Sequence, residues 1–454
     1  MTGLSDVDRV FQETLHMPSL DALHVVLATV AANRMAGDPV WLLLIGPPAS
    51  AKTETVETLA DLPETVTLSE TTKAGLLSGS SAKGGTGGVL LEGGERFLLV
   101  MKEFTTIASL QASTRNEVLA IFREIFDGRV ERAVGSGGGR RLKWRGHAGC
   151  IACATETIDT VDMANFGERW LRYRLPEHDE NDRLLAGFAA MENVGHQPEQ
   201  RARRLSAVTE FFSDLRVPER PRALCEAEED RLILLADLGA RCRSGVVRGG
   251  GHADEIAQVP QAEEVPRLLG ELGQLSAGLS AIGVDDAERW RILAKCALDA
   301  MPSMRRRVIG VLLAAEHDFR TTTVAAHCRV PGSSVRRHLQ DLTALDLVDL
   351  TGTDPETWRA GQWLRTRWAD VVEASVRVAV QAPATSTDAD ALAGCLAVLG
   401  VEDCLRLEER FTGRWPSERA LNLSRMGWAT DVRRWGPEVR QWVAQELDRM
   451  GRST

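Results

Sequence analysis

The sequence has a single tyrosine, 5% aromatic residues, and eight cysteines scattered along 454 residues. Scattered cysteines in a chain of this length do not form the disulfide framework of a small secreted protein. The sequence also lacks any run of roughly eighteen or more apolar residues, so we expect no transmembrane helix and no membrane partner. The first residues are acidic and lack the basic and apolar segments of a secretory signal, which predicts a cytoplasmic protein.

The chain also lacks an overall positive charge, since its formal net charge is −10. Nucleic-acid binding is therefore not indicated by total charge, although a local basic surface can still bind phosphates. Such a surface is suggested by a cluster of arginines, namely Arg305, Arg306, Arg307, Arg329, Arg336 and Arg337. The length of the chain exceeds what one hydrophobic core accommodates, so two or three domains are expected.

One cysteine pair, Cys150 and Cys153, has the Cys-x-x-Cys spacing of redox and zinc sites. The pair lies inside an apolar run, GCIACAT, and no second Cys/His pair with zinc-site spacing follows nearby. We therefore predict that both cysteines pack inside a strand.

A phosphate-binding loop is the most specific motif in the sequence. Residues 40–45 are apolar, as in a buried parallel strand, and residues 46–53 read GPPASAKT. This is the P-loop pattern G-x-x-x-x-G-K-[ST] with Ala51 in place of the second glycine. Helix amides, Lys52 and Thr53 are then expected to hold the phosphates and Mg²⁺ of ATP. The predicted nucleotide contacts are Gly46, Pro47, Pro48, Ala49, Ser50, Ala51, Lys52, Thr53 and Glu54.

A second apolar strand, residues 97–101, ends in Lys102 and Glu103. Phosphoryl-transfer sites commonly place carboxylates at such a strand end to hold the metal and orient water. An ammonium close to Mg²⁺ would be repelled by several kcal/mol, so Lys102 is expected to point away. Glu103 is therefore the predicted catalytic carboxylate and, with Thr53, the predicted metal ligand. An ordinary strand end with solvated charges is the alternative.

The order of these and later motifs resembles the AAA+ ATPases, and within them the minichromosome-maintenance (MCM) helicases and their relatives. The resemblance covers roughly residues 20–350 and includes alanine before the P-loop lysine. It implies a water-positioning polar residue at Thr155, after strand 149–154, and an arginine at the start of a lid helix, Arg267. It also implies an arginine finger that reaches a neighbouring subunit, for which Arg169 is the first choice and Arg172 and Arg174 are alternates. Arginines that only brace the strand LRYRL are the competing interpretation.

The same resemblance implies a β-hairpin at residues 129–145, which has two strand-like arms around a glycine-rich turn. In a ring of subunits, such hairpins would line a central channel that contacts DNA. The predicted channel residues are Lys83, Arg140, Arg141 and Lys143. Segments of the sequence also look like ATP-binding proteins of phages and mobile elements.

Residues 302–360 predict a winged helix-turn-helix. A first helix, a second helix at 321–328 and a turn at 329–332 precede a third helix, which Ser333 and Ser334 are expected to cap. Val335, Leu339 and Leu342 should pack inward, and two strands should follow as the wing. The predicted DNA contacts on the outer face are Ser334, Arg336, Arg337 and Gln340. The acidic wing favours the alternative of a protein-docking surface.

Together these patterns predict an α/β fold with an AAA+ core of parallel strands, a helical lid, a winged helix-turn-helix and a helical C-terminal region. The boundaries predicted are a helical lead-in at 1–38, a core at 39–176, a lid at 177–300, a winged helix at 301–381 and a C-terminal region at 389–454. The function predicted is a ring-forming, hexameric ATPase that acts on DNA as a translocase or initiation factor. Its rivals are an ATP-gated DNA-binding regulator with little hydrolysis and a protein-remodelling ATPase.

Overall fold

The computed structural model describes residues 2–68, 73–77, 88–134, 140–160, 169–177, 180–249, 255–315, 317–381 and 437–449. The chain divides into a unit of residues 1–376 and a second unit of residues 377–454, and each is described by itself. In the described part of the chain, no helix is both long enough and apolar enough to cross a bilayer.

Strands are found in both halves of the first unit. In chain order they are β1 Trp41–Ile45, β2 Thr65–Leu68, β3 Arg96–Met101, β4 Arg129–Val134, β5 Arg140–Arg145, β6 His147–Ala154, β7 Leu171–Arg174, β8 Val247–Arg248, β9 Ile256–Gln258, β10 Phe319–Arg320, β11 Val348–Thr353 and β12 Glu356–Ala360.

Helices make up most of the remaining described residues. They are α1 Leu4–Thr14, α2 Asp21–Arg34, α3 Lys52–Glu57, α4 Lys73–Leu76, α5 Val89–Gly93, α6 Thr105–Ala108, α7 Ala112–Phe126, α8 Glu180–Glu192, α9 Gln197–Asp214, α10 Glu226–Arg243, α11 Pro266–Ile282, α12 Asp286–Asp299, α13 Ser303–Leu313, α14 Thr321–Cys328, α15 Gly332–Ala344, α16 Gln362–Gln381 and α17 Pro437–Arg449. A short 3-10 helix, Glu156–Thr160, follows β6.

A five-stranded sheet with the order β2-β3-β6-β1-β7 forms the centre of the first unit. All of its pairings are parallel, which confirms the α/β class. β1 is buried along its whole length between β6 and β7, as a continuous apolar strand requires when both faces are covered. Because parallel strands point the same way, the segments after β1, β3, β6 and β7 meet at one edge of the sheet.

Helix α2 lies within the helical lead-in that the sequence predicted, but it is not a surface helix. Every residue from Asp21 to Asn33 is buried, because α2 lies inside the first unit against α11. The two helices approach so closely that a Cβ at Gly278 would lie 2.1 Å from the carbonyl oxygen of Ala28. The helical assignment was right, but the polar face expected for a surface helix does not exist.

The hairpin predicted at residues 129–145 is present as the antiparallel strands β4 and β5, with Arg129 opposite Arg145. Val130 and Trp144 are buried on its inner face. The Trp144 indole also donates a hydrogen bond of 2.8 Å to the carbonyl of Gly94. This end of the hairpin is therefore fixed to the sheet.

Residues 303–360 form three helices, α13 to α15, and a three-stranded antiparallel sheet of order β10-β12-β11. Val335, Leu339 and Leu342 are buried, as predicted. The predicted capping by Ser333 and Ser334 is wrong, because α15 begins at Gly332 with Pro331 at its N-cap position and no side-chain cap. Arg329 turns the chain with a positive φ of 54°.

Cys150 and Cys153 are free thiols buried in β6, which confirms their predicted packing role. Burial raises the pKa of Cys150 well above its usual value and that of Cys153 to about 12, so neither is a ready thiolate.

The predicted lid range 177–300 contains α8 to α12, interrupted by the paired strands β8 and β9. In the predicted C-terminal region 389–454, only α17 lies within the described residues. The domain boundaries otherwise stay predictions.

Candidate functional site

The P-loop joins the end of β1 to α3, where residues 46–51 turn the chain. Ala49 and Ala51 have left-handed backbone conformations, with φ of 61° and 62°. Alanine adopts this conformation at a cost of about 1–2 kcal/mol, because its Cβ approaches the following carbonyl. The loop thus takes the backbone shape that glycine usually provides in this motif, although Ala51 has replaced the glycine.

The Lys52 ammonium lies inside the loop that precedes it. It donates hydrogen bonds of 2.8 Å to the carbonyl of Gly46, 2.6 Å to the carbonyl of Pro47 and 3.0 Å to the Ser50 hydroxyl. The residue is 8% exposed, and burial lowers its pKa while the Glu103 carboxylate opposes that shift. The loop therefore surrounds one positive charge with neutral hydrogen-bond acceptors. An anionic ligand can replace these acceptors.

A cavity of about 370 Å³ opens beside the P-loop. One wall consists of residues 49–54, another of the end of α1 with His16, and a third of one face of α8. The α8 residues in that wall are Ala186, Ala189 and Ala190, and Asn193, just after the helix, also lines the cavity. This volume falls within the range typical of small-molecule and cofactor sites, about 300–1,000 Å³. Of the predicted nucleotide contacts, residues 49–54 line the cavity, while residues 46–48 lie at the start of the loop.

Glu103 and Thr155 meet at the edge of the sheet through Thr105. The backbone amide of Thr105 donates to the Glu103 carboxylate at 3.2 Å. The Thr105 hydroxyl accepts a 3.0 Å hydrogen bond from the backbone amide of Thr155 and lies 3.4 Å from its hydroxyl. The predicted pair is thus connected by a residue that sequence reasoning missed. Its only local signal was a threonine at the start of a helix directly after a strand.

Lys102 points away from this network, as predicted. Its ammonium lies 2.7 Å from the Glu57 carboxylate on the last turn of α3. Glu103 is consequently the carboxylate that β3 supplies to the P-loop region. Among the described residues, no group of three or more His, Cys, Asp or Glu side chains could hold a metal ion by itself. A magnesium site here would need ligand oxygens from a bound phosphate, as Mg²⁺ sites commonly do.

Glu54 is engaged by two arginines of α9 that the sequence did not indicate. Arg201 lies 2.9 Å from its carboxylate, and the buried Arg204 also contacts it. Although partial burial raises the pKa of Glu54, the hydrogen bond from Arg201 and the charge of Arg204 hold it below its usual value. Glu54 therefore lies in the cavity wall with its charge already paired.

The arginines chosen as possible fingers make contacts within the chain. The Arg169 guanidinium bonds to Asp127 at 3.2 Å and covers the ring of Phe126. Arg172 and Arg174 are buried and both bond to Asp159, at 3.2 and 2.8 Å. The two alternates are therefore wrong as fingers, since they brace β7, and Arg169 would have to leave Asp127 to reach another subunit.

Arg267 is exposed in the first turn of α11, where the sequence predicted a helix start. It acts, with Arg169, on the buried carboxyl of Glu271. Burial raises the pKa of Glu271 to about 7, while the charges of Arg243, Arg267 and Arg169 oppose the shift. Neither Arg267 nor Arg169 lines the P-loop cavity.

The predicted DNA-contact residues of α15 lie on its outer face, with Ser334, Arg336 and Arg337 exposed and Gln340 half-buried. Arg336 is paired at 2.6 Å with Glu356 of β12, which lowers its availability to phosphate. Arg337 is exposed on the same face of α15, and no acidic side chain of the described residues pairs with it.

The arginine cluster on α13 does not form the predicted basic surface. Arg305 is buried and donates to the carbonyl of Ser244 at 2.6 Å. Arg306 bonds to the buried Asp299, and Arg307 lies 3.7 Å from Glu177. Arg305 and Arg306 hold helices together, because buried carbonyls and a buried carboxylate use their donors, whereas Arg307 and Glu177 are both exposed.

On the hairpin, Lys143 is exposed and lies 3.7 Å from Glu131. Arg140 and Arg141 occupy β5, but their side chains lie outside the described structure, as does Lys83. The channel prediction therefore stays a prediction.

No family model matches the chain, and no curated protein matches it. Among solved structures, the A-form apo structure of the NrS-1 C-terminal region matches at 12% sequence identity and a TM-score of 0.26. The match covers 52% of this chain and 54% of that one, so the chain spans about half of its structural neighbour. A TM-score at this level supports no conclusion about fold or function.

Proposed function

We propose that this chain is a P-loop ATPase of AAA+ type that acts on DNA. The observation that carries the proposal is that the P-loop, Glu103 and Thr155 follow three strands at the carboxyl edge of one parallel sheet, and that P-loop residues 49–54 line a cavity of about 370 Å³. Ligands of open α/β sheets bind at this edge, and the three features come from separate strands.

The residues fit a nucleotide with Mg²⁺. Lys52 would bind phosphate in place of the carbonyls of Gly46 and Pro47, because a charged acceptor binds an ammonium more strongly than a carbonyl does. Thr53 and Glu103 would provide oxygen ligands to the cation. ATP would supply the phosphoanhydride to be hydrolysed, and Thr105 and Thr155 would hold Glu103 in a fixed orientation toward water.

Action on DNA is supported by residues 303–360, whose three helices and antiparallel strands follow the order of a winged helix-turn-helix. Arg337 and Ser334 on the outer face of α15 would contact phosphates or bases. We further propose an MCM-like translocase or replication initiation factor of phage or mobile-element type, assembled as a hexameric ring in the cytoplasm. A ring would require Arg169 to exchange Asp127 for a phosphate of the neighbouring subunit.

Phosphate release and ATP binding by the full chain, measured with and without duplex DNA, test this proposal. We expect turnover that depends on Mg²⁺ and rises with DNA. ATP binding without turnover would overturn the motor and support an ATP-gated DNA-binding regulator. That second function is favoured by one observation, the Lys102–Glu57 pair, which leaves β3 with a single carboxylate at the site.

A third candidate is a protein remodeller that uses residues 303–360 for docking. It is favoured by the Arg336–Glu356 ion pair, which neutralises part of the surface available to DNA. Salt-sensitive DNA binding that is lost in Arg337→Ala would count against this candidate, because such binding reports phosphate contacts. Mass photometry with ATP and DNA tests the ring, and a monomer under these conditions would exclude an arginine supplied by a neighbour.

A further inference from the structure

Glu54 occupies the wall between two cavities. It lines the P-loop cavity described above and also a second cavity of about 370 Å³, whose lining includes Glu57, Lys102 and residues of α9. Because Glu54 directly follows Thr53 on α3, any force on its carboxylate acts on the helix that begins at the P-loop.

The carboxylate of Glu54 accepts hydrogen bonds from two arginines of α9, Arg201 and Arg204. Arg201, which is 56% exposed at its side chain, donates from Nε at 3.1 Å and from Nη2 at 2.9 Å. Arg204 donates from Nη2, and its side chain is only 3% exposed. Since a buried guanidinium without a partner is strongly unfavourable, Arg204 holds α9 close to Glu54.

Helix α9 follows α8, and one face of α8 forms a wall of the P-loop cavity. The two helices are joined by a short connection, in which Asn193 donates a 3.1 Å hydrogen bond to the carbonyl of Thr14 at the end of α1. Fixing α9 against α3 therefore also limits how far the α8 wall can move from the P-loop.

We propose that Glu54, Arg201 and Arg204 form an ion-pair clasp that holds the α8 wall against the P-loop helix. Glu54 and Arg204 are then positioning residues for the nucleotide. This inference rests on the proposed function, because it concerns how the same cavity binds its ligand. It replaces the prediction that Glu54 contacts the nucleotide directly.

The clasp gives a different mutational pattern from a direct contact. If Glu54 touched the ligand, Glu54→Gln alone would change binding and Arg204→Met would not. If the two act through one ion pair, each single variant weakens nucleotide binding. The double variant Glu54→Gln/Arg204→Met then binds no more weakly than the single variant with the lower affinity. Arg203 offers a matched control, since it lies on the same helix but pairs with Glu13 of α1 at an exposed position.

The experiment is isothermal titration of the full-length variants with MgADP, combined with steady-state hydrolysis of ATP. We expect Glu54→Gln and Arg204→Met each to raise the Kd by about tenfold, with an equal rise in KM and less than a threefold change in kcat. That split indicates loss of binding rather than loss of transition-state stabilisation. Arg203→Gln should bind within about twofold of the unaltered chain. Additive effects, or an effect of Glu54→Gln alone, would overturn the clasp.

Hydrogen exchange separates failure of the clasp from failure of the proposed function. If the folded, unaltered chain binds neither ADP nor ATP, the proposed function is overturned, and the clasp is judged on exchange alone. Faster exchange of the amides of Lys52–Glu57 and of α8 in Glu54→Gln, but not in Arg203→Gln, supports it. Unchanged exchange in these segments overturns it.

Discussion

Two regions contain the polar side chains that their motifs predicted: the carboxyl edge of the five-stranded sheet at the P-loop, which we call the P-loop edge, and residues 303–360, the proposed winged helix-turn-helix, which we call the helical unit. They differ in what those side chains contact. At the P-loop edge, Lys52 lines a cavity and contacts the loop backbone and Ser50, while Glu103 accepts a hydrogen bond from the amide of Thr105. In the helical unit, Arg305 is buried and Arg336 is paired with an acid. A motif with special backbone geometry therefore predicts local structure better than a cluster of like charges predicts a surface, since surface charges readily find local partners.

The largest expected effect is that of Lys52→Ala. We expect ATP affinity to fall by about 100-fold or more, because no other P-loop side chain supplies a cation to the phosphates. Equilibrium binding of a fluorescent ATP analogue measures it. The matched control is Lys102→Ala, which removes a lysine paired with Glu57 and should change affinity by no more than about threefold. Equal losses in both variants would show that the P-loop edge is not the nucleotide site.

Glu103→Gln tests the chemistry at the same edge. It should leave ATP binding within a few-fold of the unaltered chain and lower kcat by about 10²–10⁴, the usual contribution of a general base. Single-turnover hydrolysis with a parallel binding titration measures both quantities. Glu57→Gln, which removes the carboxylate paired with Lys102, serves as the control and should retain turnover. Unchanged kcat in Glu103→Gln would place the catalytic carboxylate elsewhere.

The helical unit should show a smaller effect. Arg337→Ala is expected to weaken duplex DNA binding by about three- to tenfold and to lower the slope of log affinity against log salt by about one. Glu356→Gln should strengthen binding by about twofold, because it releases Arg336. Arg359→Ala, which removes an arginine paired with Asp318, is the control. Salt titrations followed by fluorescence anisotropy measure DNA affinity in all three variants. If Arg337→Ala and Glu356→Gln both bound DNA like the unaltered chain, as the control should, the proposed DNA surface would be refuted.

The smallest effect concerns the backbone of the P-loop. Ala51→Gly should raise the free energy of unfolding by about 0.5–1 kcal/mol, because relief of the left-handed strain exceeds the entropy that glycine loses on folding. Ala120→Gly, in the middle of α7, should lower it by about 1 kcal/mol. Urea denaturation measures both changes. A loss of stability in Ala51→Gly would mean that residues around the loop favour the alanine methyl group.

Secondary structure and the P-loop could be predicted from the sequence because their signals are local. Apolar runs located β1, β3 and β6, and the spacing of Val335, Leu339 and Leu342 gave the buried face of α15. Repulsion between an ammonium and Mg²⁺ was enough to predict that the Lys102 side chain points away from the expected metal position. The predicted capping of α15 was wrong because the helix begins at Gly332, so both serines lie inside it. Pro331 occupies the N-cap position instead.

The partners of the charged residues were beyond prediction, because they are set by contacts between distant parts of the chain. Arg204 and Glu54 are separated by 150 residues, and nothing near either of them indicates the other. The burial of α2 on all sides has the same origin, since it depends on the close approach of Gly278. The amino-acid sequence by itself determined β1, β3, β6 and the loop between β1 and α3, through periodicity and local backbone preference. Only the tertiary structure decided which arginines remain available to a ligand, because ion pairing depends on distance in space.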